Sequence, residues 1–150
     1  MTATIAALRL SRSIRASREI VFDHLVSQDK LALWFGPDEA YEIIECRTEP
    51  RAGGSYRVAV RSPDGAKTHT VVGRYTEVEP PERVAYTWAW LGDDGEPGPE
   101  SRVEIELTDE GGSTLLKMVH HGLPDEPTRT EHEHGWSGSL DRLVRLVEGQ

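Results

Sequence analysis

Cysteine is almost absent from this 150-residue chain, and long hydrophobic runs are missing altogether. The one cysteine, Cys46, has no partner for an internal disulfide, which is typical of a cytoplasmic protein. No apolar stretch approaches the roughly 20 residues that span a bilayer. The opening residues MTATIAALRL lack the basic start and longer apolar run of a secretion signal. We therefore expect a cytoplasmic protein that neither spans a membrane nor depends on disulfides.

Basic residues are also scarce relative to acidic ones. The chain has 17 Lys and Arg against 26 Asp and Glu, which gives a formal net charge of -9 at pH 7 with histidine counted as neutral. A chain of this sign lacks the positive surface that attracts phosphate backbones and anionic membranes. We expect neither nucleic acid nor a membrane as a partner.

The residues that are present fit one globular domain over residues 1–150, without a linker or a repeat. Hydrophobic residues make up 37% of the chain and charged residues 29%, which places it among folded proteins rather than disordered ones. A chain of this length buries a sizeable core without disulfides or a structural metal. Cys46 lies within EIIECRT beside no catalytic partner, so we interpret it as a buried or half-buried thiol rather than a nucleophile.

Local patterns in the first part of the chain predict one strand and two short helices. LRLSRSI alternates between two faces, and this alternation turns Arg12 to the same face as the apolar residues. Ser17 is placed to cap a first helix. Ser27 is placed to cap a second, which ends at the turn signal Gly36-Pro37.

Residues 41–121 predict a meander of about six antiparallel strands. Runs of β-formers alternate there with turn signals such as PRAGG, SPDG and DEGG. The predicted strands are YEIIECRT, SYRVAVR, AKTHTVVGRYTEVE, RVAYTWAW, RVEIELT and STLLKMVHH.

A long amphipathic helix is predicted at the C-terminal end. Residues 128–131, TRTE, have the form of a capping box, and apolar residues recur at helical spacing from Trp136 to Val147. One turn before Trp136, His132 lies on the same buried stripe. His134 is about 200° further round the helix at 100° per residue, so we expect it to face solvent.

Residues 120–143 contain four of the six histidines, which raises the question of a metal site. His120 and His121 are neighbours in a strand and face opposite sides, and the position of the charged Lys117 indicates that His120 faces inward. Only His120 and His132 then face inward, and two histidines are too few for a typical zinc site. No nearby carboxylate has an identifying spacing. The prediction is no metal, and instead buried histidines that are hydrogen-bonded beside a polar helix start.

Five fragments in order carry a family resemblance over nearly the whole chain. They are RSIRASREIVFDHL, LALWFGP, PRAGGSYR, GRYTEVEPPERVAYTWAW, and HHGL followed by HGWSGSLDRL. Together they resemble the START-like, helix-grip domains of the birch-pollen-allergen superfamily, and most of all the group similar to the C-terminal domain of the activator of heat shock protein 90 ATPase. The resemblance implies an α+β fold. In this fold a curved antiparallel sheet of about seven strands surrounds a long C-terminal helix, with two short helices after the first strand and a cavity between sheet and helix.

Several residues are expected to face this cavity, and more than one role is open to each. Arg12, as an inward charge, must be paired, hydrated or bound to a ligand anion. His120 and His132 are candidates either for binding a ligand or for acid–base catalysis. Inward aromatic residues are more often core than ligand contacts. Trp34 either gates the cavity mouth, marks a protein-binding patch or packs under the sheet edge. The predicted ligand-binding set is Arg12, Trp34, Tyr86, Trp88, Met118, His120, His132 and Trp136.

Members of the superfamily commonly bind hydrophobic or amphipathic small molecules. The leading hypothesis is therefore a small hydrophobic ligand held in the cavity, without a cofactor. One alternative is an enzyme of the cyclase or hydrolase type that uses His120 or His132 as acid or base, with Arg12 holding a developing negative charge. Another is a co-chaperone that stimulates a heat-shock ATPase in a stress response. The chain is expected to be a monomer or a homodimer.

Overall fold

Seven strands and three helices follow one another in the computed structural model, which describes residues 6–36 and 40–149. Pro37 of the predicted turn and residues 1–5 of the opening segment lie outside the described residues. The elements are β1 (Leu8–Ile14), α1 (Arg18–Val26), α2 (Gln28–Leu31), β2 (Glu42–Thr48), β3 (Ser55–Arg61), β4 (Thr68–Glu79), β5 (Arg83–Trp90), β6 (Ser101–Asp109), β7 (Thr114–His121) and α3 (Glu126–Glu148). Their order and type confirm the predicted α+β fold.

The strands form one antiparallel sheet in the order β1-β7-β6-β5-β4-β3-β2. From β2 to β7 each strand pairs with the next along the chain, as tight turns favour. β1 joins the far edge beside β7, with Leu8 opposite His120 and Ile14 opposite Thr114. β1 is therefore an edge strand of the sheet, and its neighbour β7 is the strand that leads into α3.

One face of the sheet is covered by α3, and the core lies between them. Alternation along β6 and β7 buries Val103, Ile105 and Leu116, and the helix buries Leu140 and Leu143 on its facing stripe. An antiparallel sheet with one apolar face needs such a cover, because each fully buried large apolar side chain contributes about 1.5–3 kcal/mol. The described residues contain no helix long and apolar enough to cross a membrane.

The helix starts show which capping predictions hold. The Ser17 side chain accepts a hydrogen bond from the backbone N–H of Ile20, as predicted. Ser27 occupies the N-cap of α2, but its side chain makes no capping bond. The predicted capping box at 128–131 is wrong, because α3 begins earlier. Asp125 is its N-cap and accepts from the backbone N–H of Thr128 at 2.8 Å. Pro127 in the first turn favours this earlier start, since proline needs no N–H partner there.

The side chain of Tyr56 packs against the sheet where the pairing between β4 and β5 is interrupted. The Tyr56 hydroxyl donates to the backbone carbonyl of Thr87, and the backbone N–H of Arg74 donates to the Thr87 hydroxyl. A Cβ atom added at Gly73 would lie 2.0 Å from the Thr87 carbonyl oxygen and 2.6 Å from Cε1 of Tyr56. Only glycine at position 73 therefore leaves room for the Tyr56 ring to lie across β4.

Cys46 is half-buried in β2, as the sequence predicted. Burial raises the pKa of its thiol to about 11, and the nearby Asp29 carboxylate adds to this effect. The thiol is therefore protonated at neutral pH and is a poor nucleophile.

Candidate functional site

A cavity of about 760 Å³ lies between the first half of α3, the end of β5 and the segment that follows α2. Pockets that hold small molecules measure roughly 300–1,000 Å³, so this volume fits a drug-sized ligand. At one side of the cavity lie three exposed residues of α3, Thr130, Glu131 and His134. With His69 of β4, which is also exposed, they form its polar mouth.

Aromatic side chains form the inner walls of the cavity. Trp88 and Trp136 are each only 4% exposed, and their ring centroids lie 5.1 Å apart. Phe35 contacts both, at 5.9 Å from Trp88 and 6.1 Å from Trp136. Trp90 contacts Trp88 edge to face at 5.5 Å. Rings at these spacings and tilts stabilise one another beyond their burial, so they form a firm wall.

One flank of α3 forms another part of the cavity wall. The lining residues Thr128, Glu131, His132, Gly135 and Ser139 recur at the three- and four-residue steps that place side chains on one helical flank. Gly135 has no side chain and Ser139 has a small one. At these two positions the helix leaves space in the cavity instead of filling it.

The segment after α2 is fastened to α3, and this fixes Phe35 at the wall. The Ser139 hydroxyl donates to the backbone carbonyl of Gly36 at 2.6 Å and accepts from the backbone N–H of Gly36 at 3.2 Å. Arg142 donates to the backbone carbonyls of Trp34 and Gly36. These bonds hold the chain on both sides of Phe35.

His132 accepts hydrogen bonds from two tryptophans. The indole N–H groups of Trp90 and Trp88 point to its Nε2 atom, at 3.0 and 3.3 Å. Its Nδ1 atom lies 2.8 Å from the backbone carbonyl of Thr128. A carbonyl only accepts and an indole only donates, so Nδ1 carries the proton and Nε2 is the acceptor.

His120 is fully buried in β7 and has the opposite tautomer. The indole N–H of Trp136 donates to its Nδ1 atom at 3.1 Å, which leaves the proton on Nε2. That N–H lies 2.7 Å from the Ser101 hydroxyl, which in turn donates to the backbone carbonyl of Trp88 at 3.3 Å. Burial lowers the pKa of His120 to about 3, and the neighbouring His132 and His121 add to this effect. The ring is therefore neutral at pH 7.

These hydrogen bonds determine which chemistry the two histidines can perform. The imidazole rings lie 5.4 Å apart, and an indole N–H occupies the lone pair of each. Either ring would have to give up an indole before it could take a proton from a substrate or bind a metal. Among residues 6–36 and 40–149, no three His, Cys, Asp or Glu side chains are grouped to hold a metal ion. The arrangement favours a rigid, neutral wall over acid–base catalysis.

Three of the eight predicted ligand-binding residues line the cavity, namely Trp88, His132 and Trp136. His120 lies behind Trp136 and supports it from the sheet. Trp34 is 2% exposed and donates its indole N–H to the backbone carbonyl of His24, so it packs in the core beside the cavity. For all five residues, contact with a ligand stays a prediction.

The other predicted residues lie away from the cavity. Arg12 is paired, since its Nε lies 2.9 Å from Asp141 of α3. Tyr86 packs against Tyr56 and Tyr75, and burial raises the pKa of all three hydroxyls. Met118 is 1% exposed in the core.

Several lining residues were missing from the predicted ligand-binding set. Trp90 follows Trp88 by two positions in β5, so the same alternation that turned Trp88 inward could have found it. Glu131 and Gly135 lie on the helical flank of His132, where the three- and four-residue steps could have found them. Tyr41 and His69 come from distant segments and contact each other at 6.5 Å between ring centroids. No local pattern in the sequence indicates that pair.

The chain is similar to known proteins in sequence and in structure. The model of the family described as Activator of Hsp90 ATPase homolog 1-like protein matches residues 15–148. A crystal structure of a protein from Chromobacterium violaceum is similar at 30% identity, covering 95% of this chain and 96% of that chain with a TM-score of 0.83. The crystal structure of the AHSA1 protein from Silicibacter pomeroyi is similar at 29% identity, covering 95% and 97% with a TM-score of 0.86. A search of the curated proteins finds no match.

The hydrogen bonds predict opposite tautomers for the two inward histidines. In long-range proton–nitrogen NMR spectra at pH 7, we expect His120 to be protonated at Nε2 and His132 at Nδ1. Exposed His134 serves as the control, with an averaged pattern typical of exchange between tautomers. The same tautomer for both inward rings, or a doubly protonated His120, would contradict the network.

The low pKa of His120 also predicts a dependence of stability on pH. Below pH 6.5 the unfolded chain takes up a proton on this ring, whereas the folded protein resists it until about pH 3. The free energy of unfolding should therefore be highest above pH 6.5 and fall by up to about 1.4 kcal/mol per pH unit as the pH decreases. From pH 6.5 to pH 4.5, the free energy of unfolding measured in urea should fall by about 2–3 kcal/mol more in the wild type than in His120→Gln.

The matched control for that comparison is His121→Gln. His121 is the strand neighbour of His120, but its side chain is 44% exposed. Carboxylates that titrate in the same range affect the wild type and His120→Gln alike, so they cancel in that difference. Equal pH dependence in the wild type and His120→Gln would show that the ring is not held neutral by the fold.

Proposed function

Since the chain belongs to the family of Activator of Hsp90 ATPase homolog 1-like proteins, we propose that it binds a small hydrophobic or amphipathic molecule in the cavity between α3 and β5. The observation that carries the proposal is an aromatic cavity of about 760 Å³ whose inner polar atoms are bonded to one another. Apolar area supplies affinity in such pockets, and a few polar groups orient the ligand.

The distribution of polar groups indicates how an amphipathic ligand would lie. The indole N–H groups of Trp88, Trp90 and Trp136 are directed to histidines, so the inner wall offers mainly ring carbon to a ligand. Polar side chains that reach solvent lie at the mouth, where Glu131 and His134 are exposed. An apolar body would lie inside and a polar end at the mouth, since a polar group buried without a partner costs free energy.

Filling the cavity from the helix should block binding. Gly135 lines the cavity, so the Gly135→Leu side chain would occupy part of the cavity. We expect the affinity for the apolar probe N-phenyl-1-naphthylamine to fall at least about tenfold, which corresponds to about 1.4 kcal/mol. Titration of the probe fluorescence measures this, with excitation transfer from the indoles as a second readout.

Gly138→Leu is the matched control, because Gly138 lies in the same helix but is not part of the cavity lining. Leucine forms helix better than glycine by about 0.8–1 kcal/mol, so both changes favour the helix itself. Thermal unfolding confirms that each variant is folded. Probe binding that is equally strong in the wild type and in folded Gly135→Leu would rule out this cavity as the binding site.

A second candidate function is stimulation of an Hsp90-type ATPase, which the family description favours. Leu33, just after α2, is 63% exposed and offers an apolar contact for a protein partner. This role would place the protein in a cytoplasmic stress response. We expect an excess of the protein to raise ATP turnover by the Hsp90 of the same organism, and Leu33→Glu to weaken the effect. An unchanged turnover rate would eliminate this candidate.

A further inference from the structure

The carboxylate of Glu131 at the cavity mouth indicates which charge the ligand carries. Resting on the binding function proposed above, we propose that the ligand is an aromatic cation, whose ring lies against Trp88, Trp90 and Trp136 and whose positive charge lies beside Glu131. The proposal follows from the charges of the lining, the orientation of the indole rings and the charge of the whole chain.

Glu131 is the carboxylate in the lining, and the lining includes no lysine or arginine among the described residues. Within the part of the chain that the structure describes, no ion pair includes Glu131. Two other acids near the helix start are already engaged. Glu133 lies 3.7 Å from Arg129, and Asp125 caps the helix. Among the residues that line the cavity, Glu131 is therefore the acid available to pair with a positive group on a ligand.

The indole rings favour the same sign of charge. Each lining indole directs its positive N–H edge to a histidine, at 3.3 Å for Trp88, 3.0 Å for Trp90 and 3.1 Å for Trp136. The remaining surface of a tryptophan ring carries a negative face, which attracts cations and repels anions. A cation that contacts the face of one of these rings is therefore favoured over an anion.

The charge of the whole chain acts in the same direction. A net charge of -9 creates a negative potential around the protein, and a mouth that carries a carboxylate concentrates it locally. A cation would be drawn to the mouth and an anion kept away. A flat aromatic body suits the walls, since rings pack on rings in offset or edge-to-face contact.

Three bicyclic aromatic probes of similar size and different charge test this proposal. They are the cation 1-methylquinolinium, neutral quinoline and the anion 2-naphthoate, each titrated at pH 7.5 into protein labelled with ¹⁵N. The indole N–H signals of Trp88, Trp90 and Trp136 report binding. The Trp34 indole, bonded to the His24 carbonyl outside the lining, is the internal control. We expect the cation to bind about fivefold more tightly than quinoline and the anion to bind most weakly.

Glu131→Gln removes the charge and keeps the shape of the side chain. We expect it to weaken cation binding about fivefold and to leave quinoline binding within about twofold. Glu133→Gln is the matched control, because Glu133 lies in the same helix and is paired with Arg129. Its cation affinity should equal that of the wild type.

The outcomes separate this inference from the function on which it rests. If quinoline shifts the three cavity indoles but the cation does so no more tightly, or if Glu131→Gln leaves the preference intact, the charge assignment is wrong and hydrophobic binding stands. If none of the three probes shifts these indoles, both the ligand class and the binding function fail.

Discussion

Three indole N–H groups that donate to two neutral imidazoles hold the site together. Trp88 and Trp90 come from β5, His120 from β7, and His132 and Trp136 from α3, so these bonds tie the long helix to two strands of the sheet. Among the described residues, no buried side-chain nitrogen or oxygen lacks a partner. Because an unpaired buried polar group costs about 1–3 kcal/mol, this pairing lets tryptophan and histidine lie inside the protein.

The same bonds determine the character of the cavity. Each imidazole is neutral and has its lone pair occupied, so the histidines act as supports for the wall. The indole N–H groups are bonded to the histidines, which leaves mainly ring carbon for contact with a ligand. Gly135 and Ser139 of α3 are small residues of the lining and leave space in the cavity. Hydrogen bonds among polar groups thus support a mainly aromatic chamber, with the exposed Glu131 and His134 at its mouth.

The sequence predicted the architecture well, because alternation and helical spacing are local signals. The faces of β1 and β7, the inward turn of His120 and the position of His132 beside Trp136 all follow from them. Contacts between residues that are far apart in the sequence do not follow from local signals. Arg12 was correctly turned inward, but its pairing with Asp141 depends on how α3 crosses β1. Likewise the start of α3 was misplaced, because Asp125 with Pro127 competes successfully with the weaker signal at residues 128–131.

The most direct test is a crystal structure of the protein with N-phenyl-1-naphthylamine bound. The account predicts density for the probe between the rings of Trp88 and Trp136 and the helix at Gly135, with both histidines still bonded to the indoles. A probe bound on the outer surface, or a chamber closed by collapse of these rings, would contradict it.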